Sequence, residues 1–261
     1  MKKSLAVIIL LICCTPSYLL ARTEKDKREY YQVTVYHFKD AEQKKEMDDY
    51  LENALLPALH RLDIKNVGVF TPIANDTVTD KKIYVIIAIK SLEQVTDLPG
   101  KLLKDEAFQL AAKKYMDAVY TNPPFARMEN ILLRAFPKAP VFSLPQLNGP
   151  KAERIYEFRS YESATEKLYH NKVQMFNEGG EVVLFKRLNF NAAFYAEVIS
   201  GSSMPNLIYM TSFENMADRD AHWKTFGADP EWKKLSSDPM YQHNVSKADI
   251  ILMKAAGYSD Y

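Results

Sequence analysis

PNLIYMTSFENMADRDAHWKTFGADPEW, residues 205–232, reads as a strand running into a helix. Ile208, Tyr209, Met210 and Phe213, with Thr211 among them, form a short run of strand-favouring side chains bounded by Pro205-Asn206 and Glu214-Asn215. Asn215 has the chemistry of a helix cap. After it Met216, Arg219, Trp223 and Phe226 recur at three- and four-residue steps, so one helical face carries the bulk, and Gly227 is expected to end it.

Upstream, residues 31–38 alternate as a strand, with Val33 and Val35 on one side and Gln32, Thr34 and Tyr36 on the other. Helical spacing follows through Met47, Leu51, Leu55, Leu59 and Leu62, with Pro57 expected to kink it. Residues 67–70 and 83–89 are strand runs around a turn-rich loop, 102–119 is helical, and 128–136 is a last strand before a linker rich in proline. The same order begins again at Arg154. Tyr31 and Tyr36 match Tyr156 and Tyr161 at an offset of 125, and Tyr84 matches Tyr209 at 125. Arg61-Leu62 matches Arg187-Leu188 at 126, and Phe108 matches Trp232 at 124. A near-constant offset marks a duplicated module.

The stretch MPNLIYMTSFENMADRDAHWKTFGADPEWKKL, together with the hexapeptide Tyr156 to Tyr161, resembles the NIPSNAP family. The first half resembles it mainly through residues 50–70, YLENALLPALHRLDIKNVGVF. The resemblance implies ferredoxin-like modules of the dimeric α/β-barrel type, in a family whose biochemical activity is poorly defined. With the repeat, it gives an α+β expectation: two tandem βαββαβ modules, 30–136 and 154–261, packed sheet to sheet within one chain and joined by a linker at 137–153.

Lys2 and Lys3 precede an apolar run over 5–12, and Leu19-Leu20-Ala21 ends in a small residue, the pattern of a cleaved leader over 1–21 followed by a charged tether at 22–29. The expected location is outside the cytoplasm, periplasmic or extracellular. Cys13 and Cys14 fall within that leader, so cleavage leaves no thiol for a disulfide or metal, while a lipid on either is the rival reading. The formal charge is +1 from 34 basic and 33 acidic residues. Loss of Lys2 and Lys3 makes this 32 against 33, and no basic stripe suits nucleic acid.

If Val33 and Val35 pack on helices, Thr34 and Tyr36 face the space between the sheets, and the repeat puts Glu157, Arg159 and Tyr161 there too. These could hold a small organic ligand, with Arg159 on an anionic or carbonyl oxygen, Glu157 as acceptor or base, and Tyr161 donating or stacking. They could equally satisfy one another as structural polar groups. Tyr195 and Glu197, alternating on the strand over 193–199, could join the lining.

Five histidines show no metal-ligand spacing, Gly179-Gly180 lacks a phosphate-loop context, and there is no nucleophile motif. No cofactor is implied. Asn75-Asp76-Thr77 and Asn244-Val245-Ser246 match the glycosylation pattern. Two classes of function stand open: a protein binding or transforming a small ligand, and an interaction protein that presents its outer surface to a protein partner or to further copies of itself.

Overall fold

The computed structural model describes residues 27–261. The expected leader, both cysteines and most of the tether lie outside these residues.

The first module runs β1 (Tyr30–Phe38), α1 (Ala41–Tyr50), α2 (Leu56–Arg61), β2 (Gly68–Pro72), β3 (Lys81–Ile89), α3 (Leu92–Leu102), α4 (Glu106–Ala111), α5 (Lys113–Met116) and β4 (Arg127–Ala135). The second runs β5 (Ile155–Glu162), α6 (Glu166–Asn177), α7 (Glu181–Arg187), β6 (Phe194–Ser200), β7 (Asn206–Phe213), α8 (Met216–Ala228), α9 (Pro230–Ser237) and β8 (Lys247–Ala255). Side chains start these helices: Asp40, Thr165 and Asn215 accept from the backbone N–H three residues on. Between α1 and α2 the chain makes a π turn over Leu51–Leu55, where Leu56 N–H reaches Leu51 C=O. Pro57 explains it, because a proline ring and missing N–H disrupt the preceding turn of an α-helix. The helix expected over 102–119 is two short ones, α4 and α5, beginning after α3 has ended at Leu102, and α8 runs one residue past Gly227.

The strands form one closed antiparallel barrel in the order β1-β3-β2-β8-β5-β7-β6-β4. Each module contributes its four strands consecutively, and the modules join where Phe70 pairs with Ala255 and where Arg134 pairs with Glu197. Among the described residues no sheet edge is left to attract another chain. Strands β1 and β5 run in the same direction, since four antiparallel steps separate them, so the pseudo-twofold relating the modules lies along the barrel axis.

The repeat is real, but one of its matches is not. Tyr36 pairs with Ile83 and Tyr161 with Leu207, so the offset is 161 − 36 = 125 between β1 and β5 but 207 − 83 = 124 between β3 and β7. Tyr84 therefore corresponds to Ile208, not to Tyr209, and the two tyrosines occupy opposite faces of their strands.

Three apolar clusters fill the molecule. One lies between the first sheet and its helices, with Tyr36, Phe38, Leu51, Leu59 and Val85; another, with Phe176, Phe185, Phe190 and Tyr209, does the same for the second module. The barrel interior holds Tyr31, Val33, Val35, Tyr84, Tyr156 and Phe158. The expected alternation is thus correct in period and reversed in sense. Val33 and Val35 face the barrel interior, while Tyr36, Glu157, Arg159 and Tyr161 face the helices.

Candidate functional site

Strand β5 is buried on both faces over Ile155 to Arg159, so its charged residues need partners wherever they point. Helix α8 supplies them. The fully buried Glu157 carboxylate accepts from Arg159 Nε (2.6 Å), Arg219 Nε (2.7 Å) and Trp223 Nε1 (2.9 Å). Arg159 also donates from Nη1 to Tyr161 Oη (2.9 Å), its guanidinium lies 3.7 Å from the Trp223 ring centroid, and the Tyr161 and Tyr209 hydroxyls meet at 2.9 Å. Burial opposes the Arg159 charge, yet Tyr209, Tyr161 and Glu157 outweigh it and hold its pKa above the ordinary arginine value. Donors saturate the carboxylate and the guanidinium is stacked, which is the geometry of a clamp between sheet and helix.

The other expected site residues also face away from the barrel interior. Tyr195 is buried in the second helix-side cluster, Glu197 accepts from Tyr169 Oη (3.2 Å) and Arg28 Nη1 (3.4 Å), and Tyr36 sits in the first module's cluster. Glu157, Arg159, Tyr161 and Glu197 find hydrogen-bond partners on the helical side, whereas the barrel is filled largely by apolar side chains from both modules. His222 is likewise tied down, with Nδ1 2.9 Å from its own helix at Asp218 C=O and its ring against Phe190 and Phe213. Asn75 and Asn244 are buried, and their side-chain amides donate to Lys82 C=O and Asn171, so neither presents a free nitrogen to glycosylation.

Inside the barrel the two ends differ. At the end where β1 and β5 begin, Tyr31 packs on Phe194 (4.8 Å between centroids) and Phe70 on Tyr156 (4.9 Å), with Tyr261 edge-on to Phe70 at 5.0 Å. This end is plugged. At the other end lies a cavity of about 390 Å³, within the range of small-molecule sites. Its floor is apolar, with Tyr84 and Phe158 5.6 Å apart beside Val35 and Ile208. Its walls carry Lys82, Glu129, Ser160, Glu162, Asn206 and Asp249.

Register explains how these meet. Glu129 pairs with Val35, which pairs with Tyr84; in the second module Asp249 pairs with Ser160, which pairs with Ile208. The pseudo-twofold thus sets Glu129 opposite Asp249 and Tyr84 opposite Ile208. Outside them His37 lies 2.7 Å from both Asp80 Oδ1 and Glu129 Oε1, and Lys247 holds Glu162 (3.1 Å) and Asp249 (2.7 Å). Burial, and then the charges of Glu129, Asp80 and Asp249, push the Tyr84 hydroxyl pKa well up. Asn206 is 2% exposed; its Nδ2 donates to Ser160 Oγ (3.1 Å), and its Oδ1 is buried with no partner. Among the described residues no cluster of His, Cys, Asp and Glu could hold a metal ion.

Sequence reasoning missed this mouth because its residues come from the ends of several strands in both modules. The one available signal was the repeat applied to charged residues, but Glu129 and Asp249 correspond at 249 − 129 = 120, outside the offset near 125.

A NIPSNAP family model matches residues 156–260. Among solved structures, a provisionally assigned monooxygenase from Lactobacillus acidophilus NCFM superposes with a TM-score of 0.56 at 9% identity, covering 87% of this chain and 94% of that one. An anthrone oxidase-like protein superposes with a TM-score of 0.53 at 9% identity, covering 89% and 92%. At such identities the likeness is one of fold. No curated protein matches the sequence.

Proposed function

We propose, for a chain whose second module is a NIPSNAP domain, that it binds a small organic ligand in the open mouth of its barrel and works outside the cytoplasm. One observation carries the ligand reading: a barrel plugged by aromatic rings at one end keeps, at the other, a cavity of about 390 Å³ with an aromatic floor and polar walls drawn from both modules. The fold's likeness to a provisionally assigned monooxygenase and an anthrone oxidase-like protein is compatible with chemistry on such a ligand. The walls offer carboxylates, groups able to move protons, and His37 stands behind Glu129 at 2.7 Å.

A thermal-shift screen of small metabolites, with mass spectrometry of material extracted from the purified protein, tests this. A bound ligand raises the melting temperature by mass action. Ile251→Phe, which puts an aromatic ring in place of a smaller aliphatic side chain at the mouth, should abolish the shift while leaving the fold intact; a shift that survives it places the ligand elsewhere.

Export rests on Lys2, Lys3, the apolar run over 5–12 and Ala21. Intact-mass measurement of the native protein should give an N-terminus at Arg22; retention of Met1, or a lipid on Cys13 or Cys14, counts against it.

A second reading has its own observation. Leu103, Leu110, Met116, Val119 and Tyr120 are exposed along α3 to α5 and the turn beyond, with Tyr120 94% exposed. Such a surface suits a protein partner. Pull-down by the wild type that is lost in a Leu110→Glu/Val119→Glu variant would favour this reading.

A further inference from the structure

We propose that the ligand of the barrel mouth carries a primary ammonium group on a compact apolar body, an inference that rests on the mouth being the binding site. It starts from an inventory of donors and acceptors. The cations around the mouth already have partners: His37 lies between Asp80 and Glu129, Lys82 lies 3.3 Å from Asp80, and Lys247 bridges Glu162 and Asp249. Arg127, at the outer end of β4, donates from Nη1 to Ala126 C=O.

The acceptors are not used up in the same way. Glu129, Glu162 and Asp249 each engage a single carboxylate oxygen, so Glu129 Oε2, Glu162 Oε2 and Asp249 Oδ1 have no hydrogen bond among the described residues. Water can serve these half-exposed groups. It does not serve Asn206, whose Oδ1 is buried on a residue of the same wall. A buried amide oxygen without a donor costs stability, and a donor brought by a ligand removes that cost.

An ammonium group offers three donors and no acceptor, matching a wall of unused acceptors. It also suits the floor, since the faces of Tyr84 and Phe158 attract a cation, and the apolar side chains of Val35, Ile131 and Ile208 suit a hydrocarbon body. The raised Tyr84 pKa reports the same field, because Glu129, Asp80 and Asp249 all act on that hydroxyl in the direction that resists a second negative charge. A carboxylate ligand would meet three wall carboxylates with Lys82 as the one cation in the lining, itself paired to Asp80.

Three probes of one shape test this: 2-phenylethylamine, 2-phenylethanol and phenylacetate, titrated calorimetrically into the mature chain at neutral pH. The amine should bind at least about tenfold more tightly than the alcohol, with phenylacetate weakest, and the preference should shrink at high salt. Glu129→Gln/Asp249→Asn, which keeps the shape of two exposed or half-exposed side chains, should remove most of the amine's advantage over the alcohol. Equal or tighter binding of the alcohol or the acid overturns the ammonium assignment. If that binding is also lost in Ile251→Phe, the mouth remains the site and only the ligand class falls. Failure of all three probes to bind the folded chain overturns the assignment as well, and leaves the site itself to the metabolite screen.

Discussion

Arg187 Nη2 donates to both carboxylate oxygens of Asp229 at 2.9 Å, and the first module repeats the link with Arg61 Nε and Asp105 at 2.8 Å. Each arginine ends the helix after which a leucine, Leu62 or Leu188, forms the C-cap, and each aspartate caps the N-terminus of a later helix. The same tie therefore staples the two helical regions of each module. Asp105→Ala and Asp229→Ala should each lower the melting temperature, through the lost cap and the lost ion pair together. The pairs share no partner, so the double variant should lose the sum. Thermal melts of the four proteins check this, and strong non-additivity would contradict two independent ties.

Arg159→Ala tests the clamp under α8. Removal of the guanidinium leaves the buried Glu157 with Arg219 and Trp223 alone and should cost about 3 to 5 kcal/mol, the usual penalty for breaking a buried pair. Because Arg159 and the mouth lie on opposite faces of β5, ligand affinity of the folded variant should be unchanged. Urea denaturation gives the first quantity and calorimetry the second; a variant of full stability that no longer binds would return Arg159 to the ligand site.

Gly68 tests the plugged end. A Cβ built there lies 2.5 Å from Phe70 and 2.8 Å from Tyr261, both side-chain ring atoms. These rings are packed against each other and against Tyr156, so they have little room to yield. Gly68→Ala should cost about 1 to 3 kcal/mol in chemical denaturation, as overpacking of a dense core does. A neutral substitution would mean that the plug is looser than its contacts imply.

Acid should destabilise the fold in a defined window. The backbone N–H of Phe108 and then the Arg61 guanidinium lower the Asp105 pKa from 3.8, and the backbone N–H groups of Asn148 and Gly149 lower that of Glu214 from 4.5. For Asp229 burial opposes the charge, but Arg187 and the N–H groups of Glu231 and Trp232 outweigh it. Depressed folded values mean that the stabilisation is present above the ordinary carboxylate range and is lost as pH falls through the lower folded values. Urea midpoints should accordingly hold from neutrality to about pH 5 and decline below it. Asp105→Asn/Asp229→Asn/Glu214→Gln should have a shallower acid limb; an unchanged limb would assign the acid sensitivity to other groups.

The module order and most strands were legible because a strand's alternation and a helix's three-and-four spacing survive in single sequences, as over residues 205–232. The facing of β5 was not legible. Period two says that Glu157, Arg159 and Tyr161 share a face, but with residues on both faces buried it does not say which face meets the helices. What decides is a set of long-range partners, Arg219 and Trp223, sixty residues away in sequence by 219 − 159 = 60. The Tyr84 and Tyr209 match misled for a simpler reason: one residue fewer between the paired strands of the second module turned the face over. The mouth stayed hidden because its walls are assembled by barrel closure.

The direction of the pseudo-twofold has a stereochemical outcome. Had two identical chains closed this barrel, every residue of the mouth would occur twice, related by a half-turn about the axis, and a molecule lying on it could bind in two indistinguishable poses. Here Lys82 stands where the other half has Asn206, because both lie at 124 along the paired strands (206 − 82), and Tyr84 stands where the other half has Ile208. Of the polar wall positions the acidic one keeps its duplicate, as Glu129 and Asp249, and beneath it Ile131 is repeated as Ile251. Carrying both halves on one polypeptide lets the opening tell head from tail, so an unsymmetrical guest can be held in a single orientation, one per chain.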